Sequence, residues 1–376
     1  MNRSVDVAVV GAGIVGLAWA WAAARRGRSV VVFERGRRAE MASVRNFGMV
    51  WPIGQPAGDL YRTATASRRR WLELRAGGVW VQECGSVHAV YEDDERAVLE
   101  EFAAAAPGRG VGCELLTPAV AVARFPHLNP DRLKAVLHSP TECVVDPRQA
   151  VAQLPRFLAD TLGVRFHFGT TVTAVDMPTV HTADGGRWTA EAVCVCGGAD
   201  FETLFPEAFA ASGLRRCKLQ MMATGPQPHG WRMGPHLAGG LTLAHYKAFD
   251  GCPTLPAVKA RFAATMPEYV KYGIHVMASQ NELGEVVIGD SHEYDADISP
   301  FDKPLVDGLI LDYLSKMLRL PDPTVVRRWH GVYAKHPTAV QFSAEPQPGC
   351  HVFSSPGGAG MTLSFGLADA WWDAKL

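Results

Sequence analysis

The run Gly11-Ala12-Gly13-Ile14-Val15-Gly16 is where residue type and spacing say most about chemistry. Glycines in the G-x-G-x-x-G spacing allow a tight turn, a backbone that can approach a pyrophosphate, and close packing of a helix on the strand before it. Alone the pattern is weak, and its neighbours decide it. Val5-Asp6-Val7-Ala8-Val9-Val10 reads as an apolar strand running into Gly11, residues 14–26 as an alanine-rich helix stopped by Gly27, and Val30-Val31-Val32-Phe33 as the next strand. A helix starting at Ile14 would aim free N–H groups and its positive dipole end at an anion. Glu34 closes the second strand, where a carboxylate accepts hydrogen bonds from ribose hydroxyls and repels the ribose phosphate of NADP. Arg35 beside it is grouped with the same contacts. These features predict a dinucleotide site on a βαβ unit of parallel, doubly buried strands, and they exclude an all-β or all-helical N-terminal region.

Other reactive residue types are scattered. His275 lies in the alternating run Ile274-His275-Val276-Met277, facing away from its apolar neighbours, and is a candidate for the active site. Asp290-Ser291-His292-Glu293 contains metal-capable groups but follows a strand with no second ligand cluster in sequence, so it reads as a polar turn or pocket wall, and no metal is expected. Eight cysteines show no CxxC spacing, which argues against zinc and against a disulfide framework; Cys194 and Cys196 read as small buried hydrophobes. Arg68-Arg69-Arg70 reads as a solvated helix face.

The elements that must position these residues fit a large soluble chain. With 376 residues and 48% hydrophobic content the core is big enough for two structural lobes. A net charge of −1 supplies no field for nucleic acid or an anionic membrane, so neither is expected as a partner. No apolar stretch approaches the roughly 20 residues of a membrane span, and the Arg25-Arg26 pair follows the first apolar run instead of preceding it, so neither signal peptide nor anchor is expected. Reduced thiols fit a cytoplasmic protein. Helices are predicted over 97–106 and 147–162, and strands over 164–168, 192–196 and 286–288. The Pro/Gly-rich segments 225–240 and 250–256 read as long surface connections. Residues 349–372 repeat the strand, Gly-rich turn and helix of the N-terminus, which predicts a discontinuous nucleotide domain with a second lobe inserted.

A series of short segments then resembles the FAD-dependent amine and amino-acid oxidases, the family of glycine oxidase, sarcosine oxidase and D-amino-acid oxidase. In the family's order these are Ala42-Ser43-Val44-Arg45-Asn46-Phe47-Gly48 (the loop under the flavin), Val145-Asp146-Pro147, Gly169-Thr170-Thr171-Val172 (adenine), Val195-Cys196-Gly197-Gly198-Ala199, and Gly357-Gly358-Ala359-Gly360-Met361-Thr362 (the flavin pyrimidine). The resemblance covers nearly the whole chain. It implies an α/β fold with a discontinuous Rossmann-like FAD-binding domain (1–85, 142–216 and 322–376) and an inserted α+β substrate-binding domain (86–141 and 217–321). Gly358 and Gly360 before an Ala/Leu-rich helix would aim a second helix N-terminus at the reduced flavin. No cysteine stands near His330-Gly331-Val332-Tyr333, where some sarcosine oxidases attach their flavin, so non-covalent FAD is expected.

A closer likeness, carried by Ser43 to Gly48 with Val50-Trp51-Pro52, Lys218-Leu219-Gln220-Met221-Met222, Tyr272-Gly273-Ile274-His275, Ile288-Gly289-Asp290-Ser291-His292-Glu293-Tyr294 and Gly360 to Gly366, is to putative FAD oxidoreductases associated with phosphonate catabolism. It implies a small aminophosphonate substrate, 2-aminoethylphosphonate or its N-methyl form, with molecular oxygen as electron acceptor. The same-class alternative is a sarcosine- or glycine-type oxidase. A flavoprotein dehydrogenase passing electrons to a partner protein is a second, and an NAD-dependent dehydrogenase a third. The arginine with which glycine oxidases hold a carboxylate has no obvious counterpart here. The candidates beside the flavin are Arg45, His275, Lys335 and His336 as cations, with Tyr246, Tyr333 and Thr362 as neutral donors and Trp51 as a cavity wall.

Overall fold

Three parallel strands explain the apolar N-terminal runs. In the computed structural model, which describes residues 3–354 and 356–375, Ser4–Val10 lies between Val30–Glu34 and Arg187–Val195, with Val10 in register with Phe33 on one side and Val195 on the other. Both faces are covered, so alternation gives way to continuous apolar sequence. The helix Ile14–Ala24 buries ten of its eleven residues and is apolar all round, because the helices Pro147–Leu162 and Gly360–Asp373 pack against it. It stops two residues earlier than the sequence suggests, and Gly27 takes the left-handed φ of +77° that lets the chain turn away.

Arg165–Phe168 and the antiparallel Val172–Asp176 and Thr179–Thr182 extend this sheet. Its eight strands are completed from the far end of the chain: Cys350–Ser354 pairs in parallel with Arg187–Val195, and Phe342–Gln347 pairs with Cys350–Ser354. The two ends of the sequence therefore build one nucleotide-type sheet, and the fold is the expected discontinuous α/β architecture.

A second, mostly antiparallel sheet of nine strands runs Glu293–Asp295, Arg215–Pro226, Glu285–Gly289, Met277–Gln280, His236–Ala238, Ser86–Val90, Ala135–Ser139 and Glu114–Leu116, with Val325–Lys335 against the other edge of Arg215–Pro226. Val325–Lys335 lies within the range 322–376 yet pairs here. That pairing carries Tyr333 and Lys335 to the boundary between the sheets. A small sheet of Met49–Val50, Val81–Glu83 and Cys143–Val145 links the halves.

The reading of 225–240 as a surface connection is corrected. Residues 235–240 are buried, and His236–Ala238 is an inner strand between Ser86–Val90 and Met277–Gln280. A strand of three residues is too short to show a period, and the Pro and Gly around it look like loop. Residues 250–256 are mostly at the surface, as expected, although the helix Leu255–Thr265 begins inside them.

Candidate active site

A single cavity of about 1180 Å³ runs from Glu34 and Val172 past the Gly11–Gly16 turn to Tyr246, His275 and Lys335. A volume above the usual range for one small ligand suits a dinucleotide with a substrate beyond it. At its narrow end the glycine turn is a cradle. Gly11 has φ +102°, and a Cβ there would sit 2.5 Å from the Cys196 carbonyl; a Cβ on Gly16 would sit 1.9 Å from the Gly11 carbonyl. Gly13 is the N-cap with no side-chain hydrogen bond, so the first-turn amides of the helix face the cavity unsatisfied by any cap, apart from Ile14 N–H, which donates to Ser43 Oγ at 2.9 Å. Glu34 accepts from the Ala12 and Gly36 amides at 3.0 and 2.8 Å, which fixes its carboxylate beside the glycine turn. Thr170 N–H donates to the Glu34 carbonyl and places Val172 beside it. Arg35 is paired with Asp200 at 2.7 Å on the cavity rim, next to Gly197 and Gly198.

The next stretch is a stapled loop. Asn46 Nδ2 donates to the Ala42 and Ser43 carbonyls and its Oδ1 accepts from Gly48 N–H, while Ser279 Oγ donates to the Phe47 carbonyl at 2.6 Å. Gly48 has φ +72°, and a Cβ would meet the Val145 carbonyl at 2.0 Å, which ties the loop to Val145-Asp146-Pro147. The helix Gly360–Asp373 begins beside the first one: a Cβ on Gly360 would lie 3.3 Å from Ile14 Cγ2. Two helix N-termini thus open onto the same volume. Met361 holds Trp71 Nε1 through its carbonyl, and Thr362 Oγ1 accepts from Trp51 N–H, so Thr362 positions the cavity wall from a buried place. These residues fit FAD: a Gly cradle, a fixed carboxylate beside it, and a second helix terminus opening onto the same volume.

At the wide end the fold assembles a cluster that no run of sequence displays. His275 and Asp290 exchange backbone hydrogen bonds, His292 Nδ1 lies 3.1 Å from the Gly273 carbonyl, and His245 ends the short helix Leu241–His245. The His245 and His275 ring centroids are 3.8 Å apart and those of His275 and His292 4.8 Å. His275 Nε2 is 3.2 Å from Asp290 Oδ1. His275, Asp290 and His292 are buried, while His245, which also lines the cavity, is exposed. Burial pushes the His292 imidazole down to about 4 and holds His245 and His275 well below their usual value, with neighbouring imidazoles adding to the effect. Burial also raises the Asp290 carboxyl well above the carboxylate range and lowers Lys335, on which Lys247 acts in the same direction.

The tail candidates separate. Lys335 and His275 face the wide end of the cavity. Arg45 donates to the Glu40 and His330 carbonyls, and His336 Nδ1 accepts from the Thr338 and Ala339 amides, so both stabilise their own loops. Tyr246 Oη donates to Met277 Sδ at 3.3 Å and its ring packs near Trp51 and His275; Tyr333 is buried beneath Gly358. Asp290 and His292, read as a pocket wall, do line the cavity. His245 carries no signal in the sequence, because only the fold brings it beside His275.

A glycine cradle on a parallel sheet, continued into a deep second-lobe cavity, defines a dinucleotide-dependent oxidoreductase. The chain belongs to the FAD dependent oxidoreductase (DAO) family, which it matches over residues 6–371. It is 23% identical over 381 residues to one of the subunits of opine oxidase from Rhizobium meliloti, covering 96% of this chain and 91% of that one. Among solved structures it resembles glycine oxidase from Bacillus cereus ATCC 14579 (TM-score 0.78, 18% identity, 98% and 94% of the two chains). It also resembles L-alpha-glycerophosphate oxidase from Mycoplasma pneumoniae with FAD bound (TM-score 0.74, 15% identity, 98% and 94%). At such identities the structural likeness establishes the fold, and FAD is the cofactor of the family. No helix among the described residues is long and apolar enough to cross a membrane.

Proposed function

We propose that this protein oxidises the C–N bond of a small amine with an anionic tail, 2-aminoethylphosphonate or its N-methyl form. The products would be phosphonoacetaldehyde, ammonia or methylamine, and hydrogen peroxide formed from molecular oxygen. Bound FAD supplies the two-electron acceptor; the protein binds and orients the substrate, excludes water and sets the protonation of the amine. The names of the amine-oxidising relatives, opine oxidase and glycine oxidase, support C–N chemistry. In this reading 1–85, 142–216 and 322–376 hold FAD and 86–141 with 217–321 form the substrate lobe, with Val325–Lys335 reaching across.

The observation that carries the reading is that a cation, Lys335, and a carboxyl, Asp290, both line the same cavity, which suits a substrate with an anionic and an amino end. Lys335 offers a point charge to the oxyanions of the tail, in place of the planar arginine fork that holds carboxylates and phosphates alike. Arg45, whose guanidinium already serves two carbonyls, does not offer that fork. The choice of a phosphonate over glycine or sarcosine rests on the likeness of the segments around Trp51, His275 and Asp290 to oxidoreductases of phosphonate catabolism. Peroxide release on a panel of 2-aminoethylphosphonate, its N-methyl form, glycine and sarcosine tests the proposal: the phosphonates should be turned over fastest. Reduced flavin that persists in air would instead favour electron transfer to a partner protein.

A further inference from the structure

Resting on the amine-oxidising reading, we propose that His275, positioned and charge-balanced by Asp290, takes up the proton of the substrate's ammonium group so that the amine reaches the flavin neutral. Both ring nitrogens of His275 and Asp290 Oδ1 are buried without a hydrogen-bond partner. Leaving such groups unpaired costs about 1–3 kcal/mol each, so the cluster is shaped to receive a ligand from the cavity. Their separation of 3.2 Å is short enough for proton exchange once a ligand aligns them. The paired backbones hold the two side chains on one side of the sheet, and His245 stacks on His275 at the cavity face.

The nitrogens of His245, His275 and His292 come within 4.8 Å of one another, a spacing that would also attract a metal ion. The ring centroids are 3.8 and 4.8 Å apart with tilts of 36° and 23°, and holding a metal would require their nitrogens to converge on one centre. An ammonium ion needs no such convergence. The groups facing the pair are His245, His292 (Nε2 4.0 Å from Asp290 Oδ2), Tyr246, Tyr294, Tyr333, Cys217 and, beyond His245 and His292, Lys335 with Lys247.

With the cavity free of substrate, burial favours neutral imidazole and neutral carboxyl. An entering ammonium supplies the positive charge that stabilises the Asp290 carboxylate, whose proton leaves to solvent. The N–H bond of the ammonium then breaks, its proton goes to His275, and the nitrogen lone pair remains on the amine. Imidazolium and carboxylate are left as a pair. The C–H bond is broken only afterwards, in the oxidation itself. His275 is the acceptor, and Asp290 positions it and balances its charge.

The test compares anaerobic flavin bleaching by 2-aminoethylphosphonate in the wild-type holoenzyme and in Asp290→Asn and His275→Gln between pH 6 and 10. An alkylammonium with a pKa near 10 is neutral in roughly one part in a thousand at pH 7. Both variants should therefore be slower by about 10²–10³-fold at pH 7, gain about tenfold per pH unit, and approach wild type near pH 10. Asp290→Glu should recover part of the loss. Calorimetry in buffers of different ionisation enthalpy adds a readout without turnover. A 2-aminoethylphosphonate dimethylated at the amine-bearing carbon has no hydride to give; its binding should release about one proton from wild type and none from Asp290→Asn, after subtraction of the hydroxyl analogue. Variant profiles parallel to wild type at every pH would overturn the proposal, as would bleaching that depends on a metal removable by a chelator. Wild-type flavin bleached by no amine at any pH would overturn the amine-oxidising reading itself.

Discussion

His275 and Asp290 face each other across paired segments, His275 N–H donating to the Asp290 carbonyl at 3.2 Å and Asp290 N–H to the His275 carbonyl at 3.1 Å. Their side chains meet at 3.2 Å in a cavity lined by Lys335 and Tyr246. This pair gives the wide end of the cavity a chemistry of its own, while the glycine cradle at the other end is shared with many nucleotide sites.

Gly13→Val should yield folded, colourless protein. A Cβ at that position already meets Ser43 Oγ at 3.0 Å, and two further methyls would fill the space in which a pyrophosphate approaches the backbone. Flavin-to-protein absorbance measures it directly, and normal flavin content would contradict the assignment. Gly16 makes a poorer test, because a Cβ there strikes the Gly11 carbonyl and breaks the turn itself.

Glu34→Ala removes the acceptor for two backbone amides together with the ribose contacts. Loss of hydrogen bonds to a charged group worth about 1.5–3 kcal/mol should raise the FAD dissociation constant about 10- to 100-fold. Titration of the apoprotein with FAD gives the number, and an unchanged constant would show that Glu34 does not contact the ribose.

The cradle was legible because its chemistry is local: the glycines, the strand before them and Glu34 lie within one βαβ unit, where spacing alone fixes geometry. The wide end was legible only residue by residue. His275 showed itself as a polar residue in an apolar alternation, and Lys335 by following Tyr333. His245 gave no signal, since its partner lies on a different element and only the sheet unites them. For Arg45 and His336 the sequence shows a charge but not the carbonyls or amides that engage it. The inner strand His236–Ala238 was hidden by its own brevity between Pro and Gly.

Lys335→Met should leave FAD content unchanged and raise the Michaelis constant for the phosphonate by about one to three orders of magnitude, as expected when one partner of a buried charged contact is truncated. Its effect on the diethyl ester, whose tail is uncharged, should be small. Equal losses on the acid and the ester, in steady-state kinetics, would place the tail elsewhere.

The folded protein should lose stability as pH falls below about 6.5. Nine histidines, among them His88 at about 3 and His127 and His236 at about 4, are held below their ordinary value by burial. Below their unfolded pKa the unfolded chain binds protons that the folded chain refuses, so stability is complete above about 6.5 and declines toward about pH 4. Glu95, Glu142, Asp290 and Asp307, raised by burial, act in the opposite sense but are fewer. The thermal midpoint of the holoprotein should drop by roughly 5 °C or more from pH 7 to pH 5. A midpoint that stays level or rises would show that these imidazoles are not kept neutral.

The central claim, oxidation of an amine carrying an anionic tail, is tested most directly by anaerobic bleaching of the bound flavin with 2-aminoethylphosphonate, its N-methyl form, glycine and sarcosine side by side. Rapid bleaching by one of the phosphonates, with slow or no bleaching by the carboxylates, is the result this account predicts for a cavity lined by both Lys335 and Asp290. Flavin that stays oxidised with both phosphonates but bleaches with glycine or sarcosine would contradict it.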